Sequence, residues 1–145
     1  MRMTTRSRYG TRMMLDIAYH GQDGPVRVNE IARRQNLSVK YLEKLVRELK
    51  AAGLVNSKRG PKGGHSLSRP PSEITVGDIV RVLEGGTTLV DCGVDEERCE
   101  RAEHCPTRDV WVRAANAMYN TLAEVTLDDL LRDYDIADLG PCADK

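Results

Sequence analysis

Tyr9, Met13 and Ile17 recur at steps of four, with Met14 and Ala18 beside them, so residues 4 or 5 to 20 carry one apolar helical face that Gly21 ends. Residues 28–34 predict a short second helix capped by Asn29. Ser38 offers a cap for a third helix, with Leu37 before the cap and Leu42 at the fourth helical position, the spacing of a hydrophobic staple. Leu42, Leu45, Val46 and Leu49 keep one face apolar until Gly53 stops the helix, leaving Val39, Lys40, Tyr41, Glu43 and Lys44 on the exposed side. Residues 54–58 and 65–68 then predict two strands around the turn at 59–64, Arg-Gly-Pro-Lys-Gly-Gly.

Past Pro70 and Pro71, Thr75 caps a helix whose Val76, Ile79, Val80 and Leu83 face inward before Gly85 and Gly86. Residues 87–105 show no sustained period. Pro106 and Thr107 open a long helix in which Trp111, Ala115, Met118, Leu122 and Val125 follow steps of four, three, four and three, a heptad seam. Thr126 and Asp129 cap a last short helix through Leu130 and Leu131, and residues 140–145 read as a frayed tail. The expected fold is mainly α with a small β hairpin. Its parts are a winged helix-turn-helix domain (1–86), a cysteine loop (87–105), a long dimerisation helix with a short C-terminal helix (106–133), and a flexible tail (134–145).

With 145 residues the chain has the length of one domain that folds without staples. Its 30% charged and 40% hydrophobic residues are those of a globular rather than a disordered chain. No stretch approaches a membrane span, and the basic first dozen residues lack the apolar region of a secretion signal, so a cytoplasmic protein is expected. The zero formal charge conceals a division. Residues 1–69 hold fifteen Lys and Arg against five Asp and Glu, net +10, and residues 70–145 hold seven against seventeen, net −10.

A basic half suggests a module that binds a polyanion through counterion release. Two helices joined by a short turn can be an ordinary helical hairpin, but a glycine-rich basic hairpin follows them. Helix, turn, helix and wing in that order are what a winged-helix reader of duplex DNA needs. Ser38, Lys40, Tyr41, Glu43 and Lys44 are the expected groove-facing residues, and Lys58, Arg59 and Lys62 of the wing the expected contacts to the DNA backbone or minor groove. Glu43 can accept from cytosine. His65 is expected to be a DNA-facing polar group and His20 a C-cap residue at a helix end. The seam of the long helix packs either on its own domain or on a second copy. A single recognition helix favours a homodimer through Trp111, Ala115, Met118, Leu122 and Val125.

Cys92, Cys99 and Cys105 stand in the loop as Cys-x6-Cys-x5-Cys, among Glu96, Glu97, Glu100, Glu103 and His104. Three thiols on a polar loop of a cytoplasmic protein are hard to explain as packing or as structural disulfides. Their wide spacing suits an iron-sulfur core that leaves one iron for another ligand, while zinc, a thiol-disulfide sensor and unligated cysteines stay open.

Met1-Arg2-Met3-Thr4 with Arg8-Tyr9, Ser38-x-x-Tyr41-Leu42-Glu43-x-Leu45, Arg59-Gly60-Pro61-Lys62-Gly63-Gly64 and three loop cysteines before Trp111 carry a resemblance. From the first residue to about residue 133 the chain resembles the iron-sulfur winged-helix regulators of the IscR, NsrR and RirA type. The resemblance implies a homodimeric bacterial transcription regulator whose operator affinity follows a 2Fe-2S or 4Fe-4S cluster and reports iron-sulfur status, nitric oxide or redox stress. Cys92, Cys99 and Cys105 match the family's ligands. The IscR branch has a histidine three residues after the last cysteine, where this chain has Arg108, a cation that cannot coordinate iron. The NsrR branch uses an aspartate near the partner's N-terminus, where this chain has Arg8. Candidates for the fourth ligand are His104, Glu100, Glu103, Asp109 and Cys142, or a thiol or water from solution, and His104 is the one carried forward.

The cluster is expected to fix the loop against the first helix and the dimer helix, and so to set the separation of two recognition helices. A cluster-free thiol-based redox regulator is the alternative. An enzyme is not expected, because there is no nucleophile-base pair, no glycine loop between a strand and a helix, and no paired zinc-ligand helix motif.

Overall fold

The computed structural model describes residues 3–90, 99–133 and 135. The stripe read around Met13 becomes α1 (Thr5–His20), which buries Ser7, Gly10 and Met13 to Ala18. Its C-cap is Gly21, whose amide donates to the carbonyl of Ile17, and not His20 as expected, which is the last helical residue. Next comes α2 (Val28–Gln35), closed by Asn36 in the left-handed region at φ 53°. Its N-cap is Arg27, which corrects the expectation of Asn29. Arg27 is extended, and its carbonyl already accepts from the amides of Glu30 and Ile31 at 3.0 and 3.2 Å, so Asn29 lies inside the first turn.

In α3 (Val39–Ala51), Ser38 is the cap, and its hydroxyl accepts from the Tyr41 amide at 3.2 Å. Leu42, Leu45 and Leu49 are fully buried, and Leu37 packs on the same cluster as the staple requires. Two strands follow, β1 (Val55–Lys58) and β2 (Gly64–Leu67), paired antiparallel from Val55↔Leu67 to Lys58↔Gly64. Gly64, expected in the turn, is the first residue of β2. A third short segment joins this sheet, because Val26 and His65 exchange two backbone hydrogen bonds of 2.8 Å.

α4 (Val76–Glu84) begins with a reciprocal cap in which Thr75 and Asp78 each bond the other's amide at 3.0 Å, and it ends at Gly85 with φ 75°. Ile79, Val80 and Leu83 face the core as expected, whereas Val76 is only half-buried. Glycines let α4 lie close to its neighbours. A Cβ on Gly10 would collide with Leu83 Cδ1, and one on Gly77 would stand 2.9 Å from the Ala123 backbone of α5 (Pro106–Ala123).

α5 stops at Ala123, so Val125 lies outside the helix that was expected to contain it. The Val125 carbonyl accepts instead from the Val76 amide at 2.8 Å. The last helix, α6 (Leu127–Asp133), starts from a Thr126–Asp129 box and buries Leu127 completely in the same cluster as Met13, Leu45 and Ile79. The chain thus returns to the core it began. Among the described residues no helix is long and apolar enough to cross a membrane. The expected tail, apart from Asp135, lies outside the described residues.

Candidate nucleic-acid interface and cysteine site

The buried face of α3 leaves Lys40, Glu43, Lys44, Arg47 and Lys50 exposed along the opposite side. Arg47 and Lys50 were not singled out from the sequence, although they continue the helical period of Glu43 and Lys44. Ser38 is exposed, with its oxygen engaged in the cap. Two residues expected on the outer side are half-buried instead. Val39 packs against the core, and Tyr41 packs against both the core and the ring of Tyr9.

Beside α3 the wing presents Lys58 at the end of β1 and Arg59 and Lys62 in its turn, all exposed. Two glycines shape that turn. Gly60 takes φ 107°, and a Cβ on Gly63 would run into the carbonyl of Lys58. His65 is half-buried on β2, its Nδ1 3.0 Å from the Ser57 hydroxyl across the strand pair. Burial pushes the imidazole below its ordinary pKa, and the Lys50 ammonium pushes the same way, against the Glu43 carboxylate. Arg27, which nothing local in the sequence marks, hydrogen-bonds the Pro61 carbonyl of the wing turn.

Of the cysteine loop, Cys99 and Cys105 are described and half-buried, whereas Cys92, Cys142 and the Glu103 side chain lie outside the described residues. Between the two thiols a short turn at Ala102–His104 is held by the Ala102 amide on the Cys99 carbonyl and the His104 amide on the Arg101 carbonyl. His104 is exposed. Cys105 is the N-cap of α5, with its sulfur 3.2 Å from the Thr107 hydroxyl. That hydroxyl first, then the amides of Arg108 and Thr107, hold the thiol below its ordinary pKa, as expected for sulfur at a helix start. Among the described residues no three His, Cys, Asp or Glu come together as a metal site. The donors present fit a soft iron-sulfur core, since both are sulfur and one is favoured as thiolate.

α5 carries the loop onward. Of its eighteen residues only Ala115 is buried, while Met118 and Leu122 are half-buried and Val110 and Trp111 are 54% and 46% exposed. Residues 87–90 lie along Trp111 and Ala115, and Arg81 of α4 sits 4.2 Å from the Tyr119 ring.

A helix-turn-helix, a basic hairpin at its side and a long, largely uncovered helix fed by a cysteine loop together define a winged-helix transcription regulator. The chain belongs to the Rrf2 family, described as iron-dependent transcriptional regulators, whose model matches residues 3–133. It is 48% identical to protein rrf2 of Nitratidesulfovibrio vulgaris over 142 residues, 98% of this chain and 95% of that protein. Among solved structures it is similar to the IscR of T. potens, with a TM-score of 0.75 and 38% identity over 98% of this chain and 94% of that one. It is similar also to CymR, the global cysteine regulator of B. subtilis, with a TM-score of 0.74 and 41% identity over 93% and 99%. These are regulators, not enzymes.

Proposed function

We propose that the chain is a cytoplasmic, homodimeric regulator whose grip on an operator is set by an iron-sulfur cluster held by Cys92, Cys99 and Cys105, with His104 the candidate for the fourth position. The observation that carries this reading is the place of Cys105. It caps α5, so any change in what the loop thiols hold acts on the helix expected to meet a second copy. Ser38, Lys40, Glu43 and Lys44 would read or flank base edges, Tyr41 would support them, and Lys58, Arg59 and Lys62 would grip the backbone. Trp111, Ala115, Met118 and Leu122, with Val125 at the helix exit, would form the subunit contact.

When bound, an iron-sulfur cluster supplies one-electron chemistry and iron that oxidants and nitric oxide attack. The chain's own part is to favour the thiolate of Cys105 through Thr107 and the start of α5, and to transmit the loop's order to α5. Anaerobic purification followed by absorption and Mössbauer spectra, then DNA titration of holo and apo forms at fixed salt, tests it. The reading expects coloured, iron-bearing protein whose operator affinity changes at least about tenfold on cluster removal, a change of about 1.4 kcal/mol. Colourless protein that binds its operator equally well with each cysteine replaced by serine would overturn it.

A second reading, a cluster-free thiol sensor, is favoured by the likeness to a cysteine regulator and by the acidified Cys105 thiol. It expects no iron and an operator affinity that responds to oxidant and is restored by a thiol reductant.

A further inference from the structure

Between the wing and the start of α2 lies an open notch lined by Arg27, Asn29, Lys58, Gly60, Gly64 and His65. It exists because β2 can seat directly on the segment before α2. Gly64 has φ 152°, and a Cβ there would stand 2.6 Å from the Val26 carbonyl oxygen, so only glycine allows the approach. The same seating brings the Arg27 guanidinium onto the Pro61 carbonyl and the His65 backbone onto Val26. Lys58 of β1 and Arg27 before α2 both line the space, and among the described residues no carboxylate does. Two cations of separate elements therefore converge on one opening, beside the wing turn and on the edge of the α3 face. A guanidinium has five N–H donors, so Arg27 can keep Pro61 and still offer its fork to an anion.

We propose that this notch is a phosphodiester site that takes one backbone phosphate of the bound duplex, held by Arg27 and Lys58 with Asn29 and His65 beside them. It rests on the DNA-binding reading above and adds a contact separate from base reading by α3. Because Arg27 touches both the wing turn and the phosphate, occupancy of the notch also fixes the angle of the wing.

The test is a salt series of binding titrations on the operator and on an unrelated duplex of equal length. Arg27→Gln keeps a donor for the Pro61 carbonyl and deletes the charge, Arg27→Lys keeps the charge and loses the fork, and Lys58→Gln deletes the second cation. Arg27→Gln and Lys58→Gln are each expected to weaken binding about 5–10-fold on both duplexes and to make the slope of log K against log salt shallower by about one. Arg27→Lys is expected to keep the wild-type slope. Ethylating single operator phosphates should reveal one whose modification weakens the wild type and no longer weakens Arg27→Gln. An unchanged slope in Arg27→Gln, a loss confined to the operator, or an Arg27→Lys slope as shallow as that of Arg27→Gln would overturn the notch. Wild-type protein that binds neither duplex would overturn the DNA-binding reading instead.

Discussion

Tyr41 of α3 meets Tyr9 of α1 edge-on, ring centroids 6.0 Å apart and planes at 88°. Arg8 and Arg12 each stand 5.7 Å from the Tyr9 ring, so the pair sits within a cationic frame. The contact ties the first turn of α3 to α1. Tyr9→Leu is expected to cost about 1 kcal/mol in urea denaturation and to weaken operator binding several-fold, by loosening α3. Tyr41→Phe keeps the ring contact and loses a hydroxyl 3.4 Å from that of Thr5, and it should leave stability within about 0.5 kcal/mol. If Tyr41→Phe matches Tyr41→Ala in lost operator affinity with stability intact, the hydroxyl reads DNA and the anchoring account fails.

Features decided within a few residues were legible in the sequence. Ser38 with Leu37 and Leu42, Thr75 with its helix, and Thr126 with Asp129 are local bonds between side chain and backbone, and the structure keeps all three. What the sequence hid depends on distant partners. The cap of α2 falls on Arg27 because Val26 is held extended by His65 of the wing. Val125 leaves the heptad because its carbonyl bonds Val76. Tyr41 looks exposed by period until Tyr9 covers one edge, and Arg27 has no sequence neighbour that announces Pro61. The cysteine spacing was plain, but the partner of Cys99 and Cys105 is not decided by spacing, and Cys92 lies outside the described residues.

Asp16 is 3% exposed, a buried carboxylate on α1 that two side chains of α2 satisfy. Arg34 donates Nε and Nη2 to its two oxygens at 3.0 and 2.6 Å, and Gln35 adds Nε2 at 2.9 Å while accepting from Arg12. Asp16→Ala strands the guanidinium against the core and is expected to destabilise by about 3 kcal/mol, the low end for a broken buried pair because Arg34 keeps partial contact with water. Gln35→Ala should cost about 1 kcal/mol. Chemical denaturation reads both, and equal losses would mean that Asp16 is satisfied without Arg34.

α4 and α5 cross where Gly77 faces Ala123, and the two nearest atoms that a new methyl would meet there are backbone, which cannot rotate away. Gly77→Ala is therefore expected to cost about 1–3 kcal/mol and to tilt α5 outward, which on the proposed α5 subunit contact weakens self-association measured by sedimentation. At Gly10 the obstacle is the end of the Leu83 side chain, so the double variant Gly10→Ala/Leu83→Val should recover stability lost in Gly10→Ala. No comparable rescue is expected from trimming any side chain around Gly77.

Acid should lower stability in two windows, because His65 and Glu84 shift for different reasons. His65 titrates below its usual value of about 6.5, since burial and then Lys50 disfavour its cation, with Glu43 opposing and Ser57 beside the ring. Below about pH 6.5 the unfolded chain therefore takes up a proton that the folded one resists. Stability falls through that window until the lower folded pKa is passed, and it is unaffected by this group above the window. For Glu84, burial pushes the carboxyl up. Hydrogen bonds from the Ser7 and Thr4 hydroxyls and the Thr4 amide, together with the charge of Arg6, outweigh that and hold it below the usual value. Its contribution is present above about pH 4.5 and is lost as pH falls through the lower folded value. His65→Gln should flatten urea midpoints between pH 7.5 and 5.5 and keep the steeper loss below 4.5, whereas Glu84→Gln should blunt the lower step and leave the upper one. An upper step of full size in His65→Gln would place that proton on another group.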